Sequence, residues 1–97
     1  MIENNIHYSL QIVPKADNIH PYELVDEAIK IIQESGLRYQ VTAMDTILEG
    51  PYEKVMETVE KAQKACLDAG AEEMLVFIKM HYSTTRDVTF EEKNLDR

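Results

Sequence analysis

Two stretches of helical periodicity, each opened by a proline and closed by a glycine, limit what this chain can fold into more than any other feature. The first runs from about Pro21 to Ser35. Val25, Ala28, Ile29 and Ile32 recur at helical spacing, Leu24 and Ile31 widen the stripe, and Gly36 follows. The second runs from about Pro51 to Ala69 along Tyr52, Val55, Met56, Val59, Ala62 and Cys66, and Gly70 follows. Proline suits a first helical turn because the N–H it lacks has no partner there, and glycine suits the left-handed stop. Pro21-Tyr22-Glu23-Leu24-Val25 and Pro51-Tyr52-Glu53-Lys54-Val55 agree at four of five positions. A duplicated unit and two helix starts with the same capping chemistry both account for that echo.

The segments around these helices alternate as strands do. Ile6 to Val13 alternates apolar and polar residues and is expected to stop at Pro14. Leu37 to Ala43 alternates too, Thr46 to Glu49 is a short strand after a turn near Met44-Asp45, and Met74 to Tyr82 is the longest strand. The resulting order, strand, helix, strand, strand, helix, strand, is two right-handed strand–helix–strand units joined by a hairpin. This predicts an α+β chain with the ferredoxin-like βαββαβ sandwich, a four-stranded antiparallel sheet with both helices on one face. In that topology the first and third strands are central, and the first and fourth are antiparallel neighbours. At 97 residues the chain suits a single domain, 1–97. Thr89-Phe90-Glu91-Glu92 has capping-box form and predicts a short helix from Phe90 onward, too short to stand alone.

Alternation also sorts the side chains. Ile6, Tyr8, Leu10, Ile12, Tyr39, Val41, Val76, Ile78 and Met80 are expected beneath the helices. His7, Ser9, Gln11, Arg38, Gln40, Thr42, Lys79 and His81, with Phe77 as an apolar exception, are expected on the open face. The short third strand leaves Thr46 and Glu49 unassigned. Because the first and fourth strands run side by side, His7 and His81 are expected to be close neighbours. Hydroxyls, amides and imidazoles without fixed charge suit a directional ligand site or an interface between copies, although a polar face is also what a solvated sheet shows.

Charge and missing signatures narrow the function. Eighteen acidic residues against ten basic ones give a net charge of −8, which disfavours nucleic acid and anionic membranes as partners. A lone Cys66 cannot form an internal disulfide and suits a reducing, cytoplasmic setting. No run approaches the roughly 20 apolar residues of a membrane span, and no signal-peptide pattern opens the chain. There is no Cys-x-x-Cys, no glycine-rich phosphate loop, no basic cradle for an acylphosphatase and no nucleophile–base pair. A zinc site would need a third ligand beside His7 and His81.

Several segments resemble one family in order and spacing. They are Ser9-Leu10-Gln11-Ile12-Val13-Pro14, Glu34-Ser35-Gly36-Leu37-Arg38-Tyr39, Met44-Asp45-Thr46-Ile47-Leu48-Glu49-Gly50 and Ile78-Lys79-Met80-His81-Tyr82. Together these resemble the bacterial branch of the small thiamine-binding proteins, over nearly the whole chain. Lys15-Ala16 departs from the Leu-Gly of many relatives, Pro51 stands where an acidic residue is common, and Ser83 stands where close relatives tend to have Arg.

The resemblance implies a ferredoxin-like subunit, assembled through its sheet into homo-oligomers, dimers or tetramers. It implies binding of thiamine, or of its hydroxymethyl-pyrimidine half, as the ligand, with no cofactor and no enzymatic activity. Thiamine joins a permanent thiazolium cation to a hydrogen-bonding aminopyrimidine. Glu49 is then the expected carboxylate for the cation. Ser9, Gln11 and Thr46 are expected hydrogen-bonding contacts, and Tyr39 or Tyr82 an expected stacking surface. Two other readings fit the residues: a module whose polar face only joins copies of itself, and a small cofactor-free enzyme using His7 or His81.

Overall fold

The computed structural model describes residues 2–93. The elements are β1 (Ile6–Lys15), α1 (Pro21–Glu34), β2 (Arg38–Val41), β3 (Thr46–Gly50), α2 (Tyr52–Asp68), β4 (Glu73–His81) and α3 (Phe90–Lys93). The strands form one antiparallel sheet in the order β2-β3-β1-β4, so β1 and β3 are central, as the ferredoxin-like topology requires. No helix among the described residues is long and apolar enough to cross a membrane.

Local chemistry explains the helix ends. His20 caps α1, its Nδ1 accepting from the Tyr22 N–H at 3.1 Å, with Pro21 in the first turn. At the far end Ser35 Oγ donates to the Ile32 carbonyl at 2.6 Å, and Gly36 follows with φ +82°. Pro51 is itself the cap residue of α2 and offers no side-chain cap, but its carbonyl accepts from Val55 at 2.9 Å. The two echoed pentapeptides therefore sit one position apart in their helices, and Tyr22 is exposed where Tyr52 packs on the core.

The buried faces of both helices meet the sheet over its centre. Leu24, Ala28 and Ile32 of α1 and Val55, Val59, Ala62 and Cys66 of α2 pack on Ile6, Tyr8, Leu10 and Leu48. Gly50, at the end of β3, lies against Leu37: a Cβ there would come within 2.5 Å of Leu37 Cδ2, so the Leu37 side chain would have to shift.

Two expectations need correction. β1 does not stop at Pro14 but continues to Lys15, pairing Pro14 with Met74. The proline is tolerated because β3 pairs only with Ile6 to Leu10, which makes the rest of β1 an edge on that side. Nor are all the residues of the helix-side face covered. Tyr39, Val41, Ile78 and Met80 have the right parity but are 39–51% exposed. A helix is about 10 Å across and strands lie about 4.8 Å apart, so the two helices cover the central pair and leave β2 and β4 partly bare.

The segment after β4 crosses to the open face of its own chain. Val88 N–H donates to the Asn5 carbonyl at 3.0 Å, and Asn5 N–H donates to Asp87 Oδ1 at 2.7 Å. The capping box is present: Glu92 N–H donates to Thr89 Oγ1 at 3.3 Å, and Thr89 N–H donates to Glu92 Oε1 at 3.0 Å. Val88 and Phe90 are buried, so α3 is held by docking.

Candidate ligand site

Strand register places the open-face side chains in rows. One row crosses the sheet as Arg38, Glu49, His7 and His81, and the next as Gln40, Ile47, Ser9 and Lys79. His7 and His81 are direct cross-strand partners, as expected from topology. The same register settles β3: Glu49 and Ile47 belong to the open face, whereas Thr46 and Leu48 lie on the helix side with Leu10 and Tyr8.

Glu49 is the hub of the first row. It is buried, and its carboxylate accepts from Arg38 at 2.8 Å, from the Phe90 backbone N–H at 2.6 Å and from His7 Nε2 at 3.0 Å. The other His7 nitrogen, Nδ1, lies 3.0 Å from Lys93 Nζ. An ammonium can only donate, so Nδ1 carries the lone pair and the proton of a neutral ring sits on Nε2, pointing at Glu49. Arg38 turns its remaining donors to Glu91, at 2.5 and 2.9 Å. That hydrogen bond and the neighbouring carboxylates raise the Arg38 pKa further, and the same contact holds the Glu91 carboxyl below its ordinary value. The Phe90 ring packs 4.6 Å from the His7 ring, with the Arg38 guanidinium 5.4 Å above it. This cluster ties α3 to the sheet.

Beside it, over the second row, lies a cavity of about 290 Å³. Its apolar walls are Ile47 and Phe90, and its polar groups include Ser9, Gln40, Asp45, Lys79, His81 and Lys93. Asp45 comes from the turn between β2 and β3. Thr42 Oγ1 shapes that turn by accepting from the Met44 and Asp45 N–H groups at 3.2 and 3.1 Å. The carboxylate is then held by the hydroxyls of Ser9 and Thr42. Burial pushes the Asp45 carboxyl up, but those two hydrogen bonds and the charge of Lys79 prevail and hold it below its ordinary value of 3.8. Asp45 is thus an ionised carboxylate facing a partly apolar cavity.

The structure does not gather the five expected contact residues. Ser9 lines this cavity and binds Asp45. Glu49 is on the same face, but its oxygens are taken up by His7, Arg38 and Phe90. Gln11 and Thr46 line a different cavity of about 250 Å³, between the start of α1 and the β2–β3 turn, which Asp45 also borders. Tyr39 lies on the helix side in the row of Leu48, Tyr8 and Met80. In the sequence Asp45 reads as a turn residue. The only signal it had was the Thr42-x-x-Asp45 spacing. Lys93 and Phe90 had no signal, because they arrive from the far end of the chain. Cys66 is buried and donates its S–H to the Leu24 carbonyl at 3.2 Å. No group of three His, Cys, Asp or Glu that could hold a metal occurs among the described residues.

Fold and site together define a small ferredoxin-like protein with a carboxylate-bearing cavity on the free side of its sheet. The chain belongs to the thiamine-binding protein family, which it matches over residues 8–96. It is 35% identical to a UPF0045 protein of Clostridium perfringens, over 88% of each chain. Among solved structures it is similar to a domain of unknown function, DUF77, from Bacillus cereus, with 44% identity and a TM-score of 0.90 over 94% of this chain and 88% of that one. It is also similar to a Thermotoga maritima protein provisionally assigned to thiamine biosynthesis or salvage, with 26% identity and a TM-score of 0.81 over 92% and 94% of the two chains.

Proposed function

We propose that this chain is a non-enzymatic binding protein for thiamine or its hydroxymethyl-pyrimidine half, serving as carrier, buffer or sensor, with the ligand in the open-face cavity. The observation that carries this reading is the Asp45 carboxylate, held ionised by Ser9 and Thr42 at a cavity walled by Ile47 and Phe90. A flat aromatic cation needs apolar walls and one fixed negative charge, and the cavity supplies both. Membership of the thiamine-binding family and the likeness to the T. maritima protein support the choice of ligand. In this reading Asp45 faces the thiazolium, Ser9 positions Asp45, and Gln40 offers donor and acceptor to the pyrimidine edge. Glu49 holds α3 in place, and Gln11, Thr46 and Tyr39 make no contact with the ligand.

Titration calorimetry with thiamine and with the free pyrimidine tests this. Asp45→Asn is expected to weaken thiamine binding roughly ten- to a hundredfold, as suits the loss of a charged partner worth about 1.5–3 kcal/mol. The neutral pyrimidine should lose less. No saturation by either compound at millimolar concentration overturns the reading, and equal losses for both remove Asp45 from the cation's side.

A second proposal concerns assembly. Leu75 and Phe77 are half exposed, and the outer edge of β4 pairs with no described strand. A long apolar edge strand left open is an aggregation hazard in a monomer. This supports assembly into dimers or tetramers through the sheet.

A further inference from the structure

The cavity assigned above to the thiazolium carries more positive than negative charge, which a plain organic cation does not explain. Lys79 and His81 stand two residues apart on the same face of β4, about 7 Å along the strand. Lys93 enters from α3, with its Nζ beside His7 Nδ1. All three line the cavity that contains Asp45. The nearby acids are already engaged: Glu49 and Glu91 by Arg38, and Glu92 by Arg86. Neither Lys79 nor Lys93 forms an ion pair with a described residue, although the charge of Lys79 reaches Asp45. The cavity therefore presents one carboxylate and two ammonium groups, with the imidazoles of His7 and His81 beside them.

We infer that the cavity takes a phosphate ester of the vitamin in preference to the free alcohol: an aromatic cation whose side arm ends in a phosphate. The cation lies toward Asp45, and the phosphate lies among Lys79, His81 and Lys93. This inference rests on the functional reading above and names the form of the ligand. The molecule's overall acidity is no obstacle, because opposite charges a few ångströms from the phosphate outweigh surface charges that salt screens beyond about 8 Å.

The test is calorimetry of the full chain with thiamine, thiamine monophosphate and inorganic phosphate at low salt and at about physiological ionic strength. The monophosphate should bind at least tenfold more tightly than thiamine at low salt, and added salt should shrink that advantage. Inorganic phosphate should compete with the monophosphate and not with thiamine. Lys79→Met, on an exposed strand position, should cut the preference severalfold, and Lys79→Met with Lys93→Met should abolish it. Equal binding of thiamine and its monophosphate overturns the inference and leaves the functional reading standing. A preference that survives the double substitution also overturns it. Failure of both compounds to bind overturns both.

Discussion

Replacing Glu49 by alanine removes the carboxylate that binds Arg38, His7 and the first backbone N–H of the C-terminal helix together, and the structure specifies what should follow. Three donors lose their partner: Arg38, the His7 ring and the Phe90 backbone N–H. Arg38 is half exposed and turns to water or to Glu91, so its loss matters least. The Phe90 N–H is buried and recovers a partner only by leaving the sheet. A hydrogen bond to a charged acceptor is worth about 1.5–3 kcal/mol, so local opening of residues 88–93 should become easier by about that amount. Little resists it. Burial of Val88 and Phe90 contributes about 1.5–3 kcal/mol each, against about 1–2 kcal/mol of backbone entropy for every residue held in place. The helix itself has only four residues and no stability of its own. Native-state hydrogen exchange followed by NMR reads this directly. The Val88 and Phe90 amides should exchange about ten- to a hundredfold faster in Glu49→Ala, while Tyr8 and Leu48 in the central strands keep their protection. Glu49→Gln, which retains one acceptor oxygen, should fall between. Unchanged exchange at Val88 and Phe90, or equal acceleration at every amide, would refute the idea that Glu49 acts as the anchor of α3.

Two further outcomes are expected. Because the Asp45 carboxyl is held below 3.8, its contribution to stability is present above that pH and lost only as pH falls through the lower folded value; the stability gap between the native chain and Asp45→Asn should therefore persist from pH 7 to about pH 4 and close below it, and a gap that closes by pH 5 contradicts the hydrogen-bonded carboxylate. If the sheet joins copies of the chain, sedimentation equilibrium at micromolar concentration should show a dimer or tetramer that Phe77→Lys dissociates, and a monomer in the unmodified protein would end that proposal.

Much of the fold was legible because it is written in local patterns. The two proline-to-glycine helices, the four alternating strands and the capping box at Thr89 each depend on neighbours a few residues away, and all are present. The pairing of His7 with His81 was legible for a related reason: topology plus a two-residue period sets which side chains meet. The site was less legible. Glu49 has the plain signal of an acidic residue near an open face, yet its oxygens are occupied by groups 11 to 42 positions away in sequence. Asp45 looked like turn chemistry and is that as well, through Thr42; only the approach of β1 brings Ser9 to it.

What the chain determined by itself is therefore the set of elements, their order and the division of the sheet into an apolar and a polar side, because helix and strand periods act residue by residue. Tertiary structure alone decided which carboxylate is spent on holding the protein together and which is left facing a cavity. Hydrogen-bond partners are allotted in three dimensions, and a buried acceptor goes to whichever donors the folded chain delivers, here from a helix that the sequence could predict but not dock.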